Sequence, residues 1–186
     1  MVQLYKQSDY ENALKLKKKL LYFYFAGLSV FLAGAIVFFV LYLSLPYAST
    51  PEIEGLGTTY LIINCIITAV AVILSFFYLG IPYKRASSYF RLLDDFKIGQ
   101  KVKNQGTFLQ NDQAVTEING VDFHSMIILE WSEKTQTYMR RHVLVDKEKP
   151  MPQLKNGDII NFVTHANVLL AYALKSEEEV FGDLID

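Results

Sequence analysis

"KKKLLYFYFAGLSVFLAGAIVFFVLYLSLP", Lys17 to Pro46, places three lysines before an unbroken apolar run, and its reading decides where the rest of the chain resides. After Lys19 no charged residue occurs until Glu52. A secretory signal carries an apolar region of about 7–15 residues and then a small-residue cleavage site. The run from Leu20 to Leu45 is much longer. At about 1.5 Å per residue, a helix over it exceeds the roughly 30 Å hydrocarbon thickness of a bilayer. Tyr47-Ala48-Ser49 resembles a cleavage region only in its small residues, so the stretch reads as an anchor that stays.

A second charge-free stretch follows from Gly55 to Tyr83, with its spanning part at residues 58–82. Pro46, Pro51, Gly55 and Gly57 lie between the two and read as turn and breaker residues. Residues 20–83 are therefore expected to form a transmembrane helical hairpin, with spans at 20–45 and 58–82. Two buried helices of a soluble domain are the competing reading, but ordinary cores seldom leave so long a run without charge.

Lysine and arginine are retained on the cytoplasmic side of a membrane. Lys6, Lys15, Lys17, Lys18 and Lys19 precede the first span, and Lys84, Arg85 and Arg91 follow the second. The connecting loop carries only Glu52 and Glu54. The chain is thus expected in the plasma membrane as a two-pass protein with both termini cytoplasmic. Tyr22, Tyr24, Tyr42, Tyr47, Tyr60, Tyr78 and Tyr83 fall near the interfaces, as aromatic belts do.

In the second span Asn64, Thr68, Ala71 and Ser75 share one helical face, and the first offers Ala26, Gly27, Ser29, Ala33 and Gly34. Small and hydroxyl residues permit close helix approach, and Asn64 reads as packing glue rather than an ion ligand. Helix packing is assigned to Asn64, Thr68, Ala71, Ser75, Ser29, Ala33 and Gly34.

The chain is near neutral at −1, and its 52% hydrophobic content is inflated by the spans. Cys65, the one cysteine, excludes an intramolecular disulfide and a cysteine zinc site. Residues 1–19 read as a cytoplasmic basic segment in which Ser8 and Glu11 suggest a capping box, with a helix starting near Asp9. Its lysines suit anionic lipid headgroups.

Beyond the spans, residues 84–98 carry Tyr89, Leu92, Leu93 and Phe96 as a helical stripe ending at Gly99. Pro82 is expected to bend the chain ahead of this juxtamembrane helix. The period then changes. Strand candidates occur at 101–110, 113–118, 121–131, 138–146, 159–166 and 167–174, with turns at Asn111-Asp112, Asn119-Gly120 and residues 155–158. Residues 99–174 are expected to form a small antiparallel β-barrel, OB-like or SH3-like, giving an integral membrane α+β protein. A small open sandwich is the alternative.

Two spans, a helix and then short strands resemble the membrane-anchored OB-domain proteins of the NfeD type. Gly106, the Asn119-Gly120 turn and "LKNGDIINFV" (154–163) carry the resemblance, which covers residues 55–174. The extended "HSMIILEW" and "YMRRHVLVD" segments depart from it. The resemblance implies a domain that supports membrane scaffold proteins and proteases by binding.

For catalysis the chain offers no phosphate-cradling glycine loop, no G-x-S-x-G and no H-E-x-x-H. His124, His142 and His165 lie on three separate strand candidates at no metal-ligand spacing. Ser125 follows His124 directly, and strand neighbours point to opposite faces. No enzyme, cofactor or metal is expected. Between Lys84 and Leu174 there are 12 Lys and Arg against 10 Asp and Glu, too small an excess for tracking phosphates, so nucleic acid is not expected as a partner. Residues 175–186, "KSEEEVFGDLID", form an acidic tail with apolar residues set among the acids, as docking segments have.

Together these point to a non-enzymatic, membrane-anchored interaction or scaffold protein presenting its barrel at the inner membrane face. Trp131, Arg140, Arg141 and Phe181 are the interaction candidates. An accessory subunit of a transporter or membrane enzyme, acting through the hairpin, is a second reading. A tethered sensor of a ligand or lipid headgroup is a third. The expected partners are the bilayer and another membrane or cytoplasmic protein, or a second copy.

Overall fold

The computed structural model describes residues 1–46 and 50–175, apart from the Gln113 side chain. Tyr47, Phe181 and all of the acidic tail after Lys175 lie outside the described residues. In chain order the elements are β1 (Val2–Gln3), α1 (Gln7–Leu43), α2 (Pro51–Tyr78), a π-helical turn (Leu79–Tyr83), α3 (Lys84–Ile98), β2 (Val102–Ile118), β3 (Val121–Ser132), β4 (Thr137–Asp146), β5 (Ile159–His165) and β6 (Val168–Leu174). They divide into a helical unit, residues 14–87, and a sheet unit made of residues 1–13 with 88 onward.

In the helical unit α1 and α2 run antiparallel. The Tyr78 hydroxyl donates to the Leu20 carbonyl at 2.9 Å, and Phe38 meets Tyr60 with ring centroids 6.3 Å apart. Half-buried residues recur at Tyr24, Leu28, Phe31, Gly34, Phe38 and Tyr42 on α1. On α2 they recur at Tyr60, Asn64, Ile67, Ala71, Ser75 and Tyr78. Steps of three and four keep one narrow seam facing the partner helix, as in coiled coils. The seam closes at Gly57, which is buried. A Cβ there would already stand 3.4 Å from Leu45 Cδ1.

Three expectations about helix ends change. Gly55 and Gly57 lie inside α2, not in a loop, because Pro51 supplies the helix start at a position where its missing N–H costs nothing. Helix α1 begins at Gln7, ahead of Ser8, and Asp9 does the capping: its carboxylate accepts the Lys6 backbone N–H at 2.8 Å. At Pro82 the helix widens into a π turn that carries directly into α3, since the proline ring cannot sit against the carbonyl a normal turn presents.

The sheet unit has the strand order β1-β6-β4-β3-β2-β5, with β5 also pairing β6. Asn119 and Gly120 both have positive φ, 54° and 82°, and join β2 to β3 in a two-residue hairpin. Ala166 and Asn167 do the same between β5 and β6, at 47° and 68°. Residues 102–118 make one long strand, not two. The Asn111-Asp112 pair sits at an irregularity in its pairing with β3, where Asp112 accepts the Ala114 N–H at 3.0 Å. At Gly106 the strand pairs with Glu130 on one side and Ile160 on the other. A Cβ there would collide with Ile128 and stand 2.9 Å from the Leu129 carbonyl oxygen.

The apolar residues of the sheet unit fall into two clusters. Phe108, Met126, Ile128, Val143, Val145, Ile160, Phe162 and Leu169, with Leu4, form one apolar cluster. On β3 the alternate residues Val121 and Phe123 join a second cluster with Leu93 and Phe96 of α3 and Val168 of β6.

The expected antiparallel barrel, OB-like or SH3-like, is corrected by the pairing. The sheet is mixed and six-stranded. At the seam between β4 and β6 the strands run parallel and meet in one pair, Leu144 with Val168, so no continuous antiparallel ring closes. The sheet also takes in Val2 and Gln3, paired with Tyr172 and Ala171, from a segment expected to be only a basic leader. The scaffold and sensor readings placed the work in that barrel and lose their basis with it.

Candidate functional site

Three groups of side chains stand out, one in the helical unit and two in the sheet unit. Helix α1 and the continuous helical stretch Pro51–Ile98 are both long and apolar enough to cross a membrane, and the most apolar window of each holds no buried residue. Val30, Val72 and Phe76 are 71%, 63% and 77% exposed. Of the residues assigned to helix packing, Asn64, Ala71, Ser75 and Gly34 lie on half-buried positions, whereas Thr68, Ser29 and Ala33 are exposed. The Ser75 hydroxyl accepts from Tyr24 at 3.2 Å and donates to the Ala71 carbonyl at 2.7 Å. Thr68 and Ser29 turn their hydroxyls onto carbonyls of their own helices, Asn64 and Ala26, which spares each a bare polar group on an apolar face.

The second group centres on Arg141 of β4. Its guanidinium donates to Glu130 at 3.0 Å, to Thr164 at 3.2 Å and twice to the Asn167 side chain, at 3.2 and 2.8 Å. It also stands 5.8 Å from the Phe162 ring. Asn167 belongs to the β5–β6 turn, and its carbonyl accepts the Leu144 N–H at 2.8 Å. One planar fork with fixed donors thus clamps β4, β3 and that turn. Arg141 is occupied inside the unit, while Arg140 beside it is exposed. Trp131 and Tyr138, cross-strand partners, meet edge to face at 5.0 Å and both remain exposed.

The third group was not legible in the sequence. Asp146, at the end of β4, is 2% exposed, and among the described residues neither its Oδ2 nor the buried hydroxyl of Tyr5 has a hydrogen-bond partner. Its other oxygen accepts the Glu148 N–H at 2.9 Å. Burial and then the Asp146 charge push the Tyr5 and Tyr89 hydroxyls far above the ordinary tyrosine range. At the edge of this cluster Lys149 pairs with Asp9 at 2.7 Å. Burial works against ionised Asp9, but the Lys149 hydrogen bond and the Lys6 N–H hold its carboxyl below the usual value.

Among the described residues no group of three or more His, Cys, Asp or Glu side chains is placed to hold a metal ion. His165 Nδ1 lies 3.0 Å from the Gln100 carbonyl oxygen and packs edge-on against Phe96. His124 is half-buried on β3 and His142 exposed on β4.

The chain matches no protein-family model, and no curated protein and no solved structure matches it either. The resemblance to NfeD-type proteins therefore fails on both counts, the family comparison and the mixed sheet.

Proposed function

We propose that this chain is a non-enzymatic integral membrane protein whose two long helices cross the plasma membrane with both termini cytoplasmic. Its partners are the bilayer and a protein, either a second copy or another membrane or cytoplasmic protein. The observation that carries this is the outward apolar surface of the helix pair. Val30, Val72 and Phe76 would each lie against water in a soluble protein, whereas in hydrocarbon the same surface is the favourable one. The hydroxyls folded back onto helix carbonyls support the same solvent, and so does the absence of Lys and Arg between the helices.

Single-cysteine labelling tests it. Cys65 is replaced by serine, and Glu52→Cys or Lys134→Cys is introduced. A membrane-impermeant maleimide on intact cells should label the Glu52→Cys protein, and the Lys134→Cys protein only after permeabilisation. Labelling of Lys134→Cys alone in intact cells would reverse the orientation, and release of the protein by alkaline carbonate would end the membrane reading. Intact-mass measurement of the detergent-extracted assembly reports the protein partner.

A further inference from the structure

Two edges of the sheet unit differ in how they are guarded. Strand β2 pairs with β5 only from Val102 to Thr107, and irregularities at Phe108–Gln110 and Asp112–Val115 interrupt the stretch beyond. Such breaks discourage another strand from adding there. Strand β4 has none, and pairs with β3 in continuous register from Thr137 to Asp146. On its other side the described residues pair with it only at Leu144, whose N–H donates to the Asn167 carbonyl. From Thr137 to His142 that side has no partner strand among the described residues.

The Leu144 bond fixes which backbone groups are free. Successive residues of a strand aim their N–H and C=O to opposite sides. With Leu144 aimed away from β3, His142, Arg140 and Tyr138 are aimed away as well. The side chains along this edge are exposed, Tyr138 by 64% and Met139 by 52%, and Trp131 stands against Tyr138. Arg140 has no carboxylate within ion-pair distance among the described residues.

We propose that a second copy of this chain pairs along this edge, β4 against β4, antiparallel about a two-fold axis at Met139. Such an axis must pass where a residue faces its own copy. Centred on Arg140, it would set two arginines directly opposite, like charge against like. Axes further along need Gln136, which lies in the β3–β4 turn, or Leu144, which is already bonded. Centred on Met139, it sets Tyr138 opposite the partner's Arg140 twice, each pair exchanging two backbone hydrogen bonds. A guanidinium beside a tyrosine ring is a favourable pairing, and Trp131 extends the same row. The edge is thus complementary to itself, and the contact uses it up in both copies, so the assembly closes at two. This selects the second copy among the partners proposed above, but it rests on the sheet unit and not on the membrane reading.

Cysteine cross-linking of the detergent-extracted full chain, with Cys65 replaced by serine, tests it. The facing Met139 residues form the closer, non-hydrogen-bonded kind of pair, with Cα atoms about 4.5 Å apart and within disulfide reach. After mild oxidation Met139→Cys should give at least about tenfold more linked dimer than Lys155→Cys, which lies at an exposed position away from the edge. Tyr138→Lys, which sets lysine against arginine, should cut the Met139→Cys linkage about threefold or more. Adding Arg140→Glu should restore it, because opposite charges then face each other. Tyr138, Met139 and Arg140 are all exposed, so these changes leave the core of the unit intact. Linkage at Met139 no greater than at Lys155, stronger linkage from Arg140→Cys than from Met139→Cys, or no rescue by the charge pair overturns the proposal. Alkaline carbonate extraction of the same variants reads the membrane question separately.

Discussion

The two units sort their apolar side chains in opposite directions. In the sheet unit Phe162, Ile128 and Leu169 are wholly buried. In the helical unit Phe76, Val30 and Val72 face outward, and the seam between the helices holds asparagine, serine, glycine and tyrosine hydroxyls. Water drives the first arrangement by expelling apolar surface. Hydrocarbon exerts no such drive, and helices then associate through close packing and hydrogen bonds. On the membrane reading proposed above, one chain carries two folding rules, and the difference teaches that burial cannot be interpreted before the solvent is known.

The comparison can be broken most forcefully in the sheet. Phe162→Ala should cost about 3–5 kcal/mol, because the ring is wholly buried among closely packed neighbours. Denaturant unfolding in detergent, followed through a probe on the sheet unit, measures it. A loss under about 1 kcal/mol would mean the sheet core is loosely packed.

Val72→Asp probes the other side. At a bilayer centre the aspartate costs about 2.5–3.5 kcal/mol on an insertion scale, whereas on a water-facing surface it stays within about 0.5 kcal/mol. The inserted fraction in a membrane-integration assay separates the two outcomes, and an unchanged fraction would erase the contrast between the units.

Arg141→Ala should destabilise the sheet unit by about 1–3 kcal/mol through the loss of charge-assisted hydrogen bonds that leaves Glu130 and Asn167 unpaired. Arg141→Lys should recover only part, since an ammonium cannot span the same acceptors. Full recovery by lysine would show that charge, not geometry, holds the clamp.

The smallest effect belongs to Asp9. Its carboxyl is held below the ordinary value of 3.8, so its contribution is present above that pH and fades as pH falls through the lower folded value. Solvent screening keeps it under about 1 kcal/mol. Melting wild type and Asp9→Asn at pH 7 and at about pH 3 should show the larger difference at the higher pH.

How far the sequence revealed these features follows from the range of each interaction. Long charge-free runs and the Asn119-Gly120 turn are local signals, and the helices and hairpin follow from them directly. Gly57 misled because a glycine that breaks a helix in water is tolerated where a neighbouring helix packs against it, and Gly55, in open space, because it follows the helix start that Pro51 sets. Asn111-Asp112 misled because polar residues serve a strand irregularity as well as a turn. The parallel β4–β6 pair, the Arg141–Asn167 clamp and the Tyr5–Asp146 cluster join residues far apart in the chain, and no local period encodes them. Val2–Gln3 is too short to show a strand's alternation at all.

That short strand also sets an order of events at the ribosome. Val2 and Gln3 are synthesised before Tyr172 and Ala171, to which they pair, with both long helices and four other strands in between. The β1 edge must therefore wait unpaired while all of these are made, and the sheet unit reaches its final form only once β6 has been synthesised.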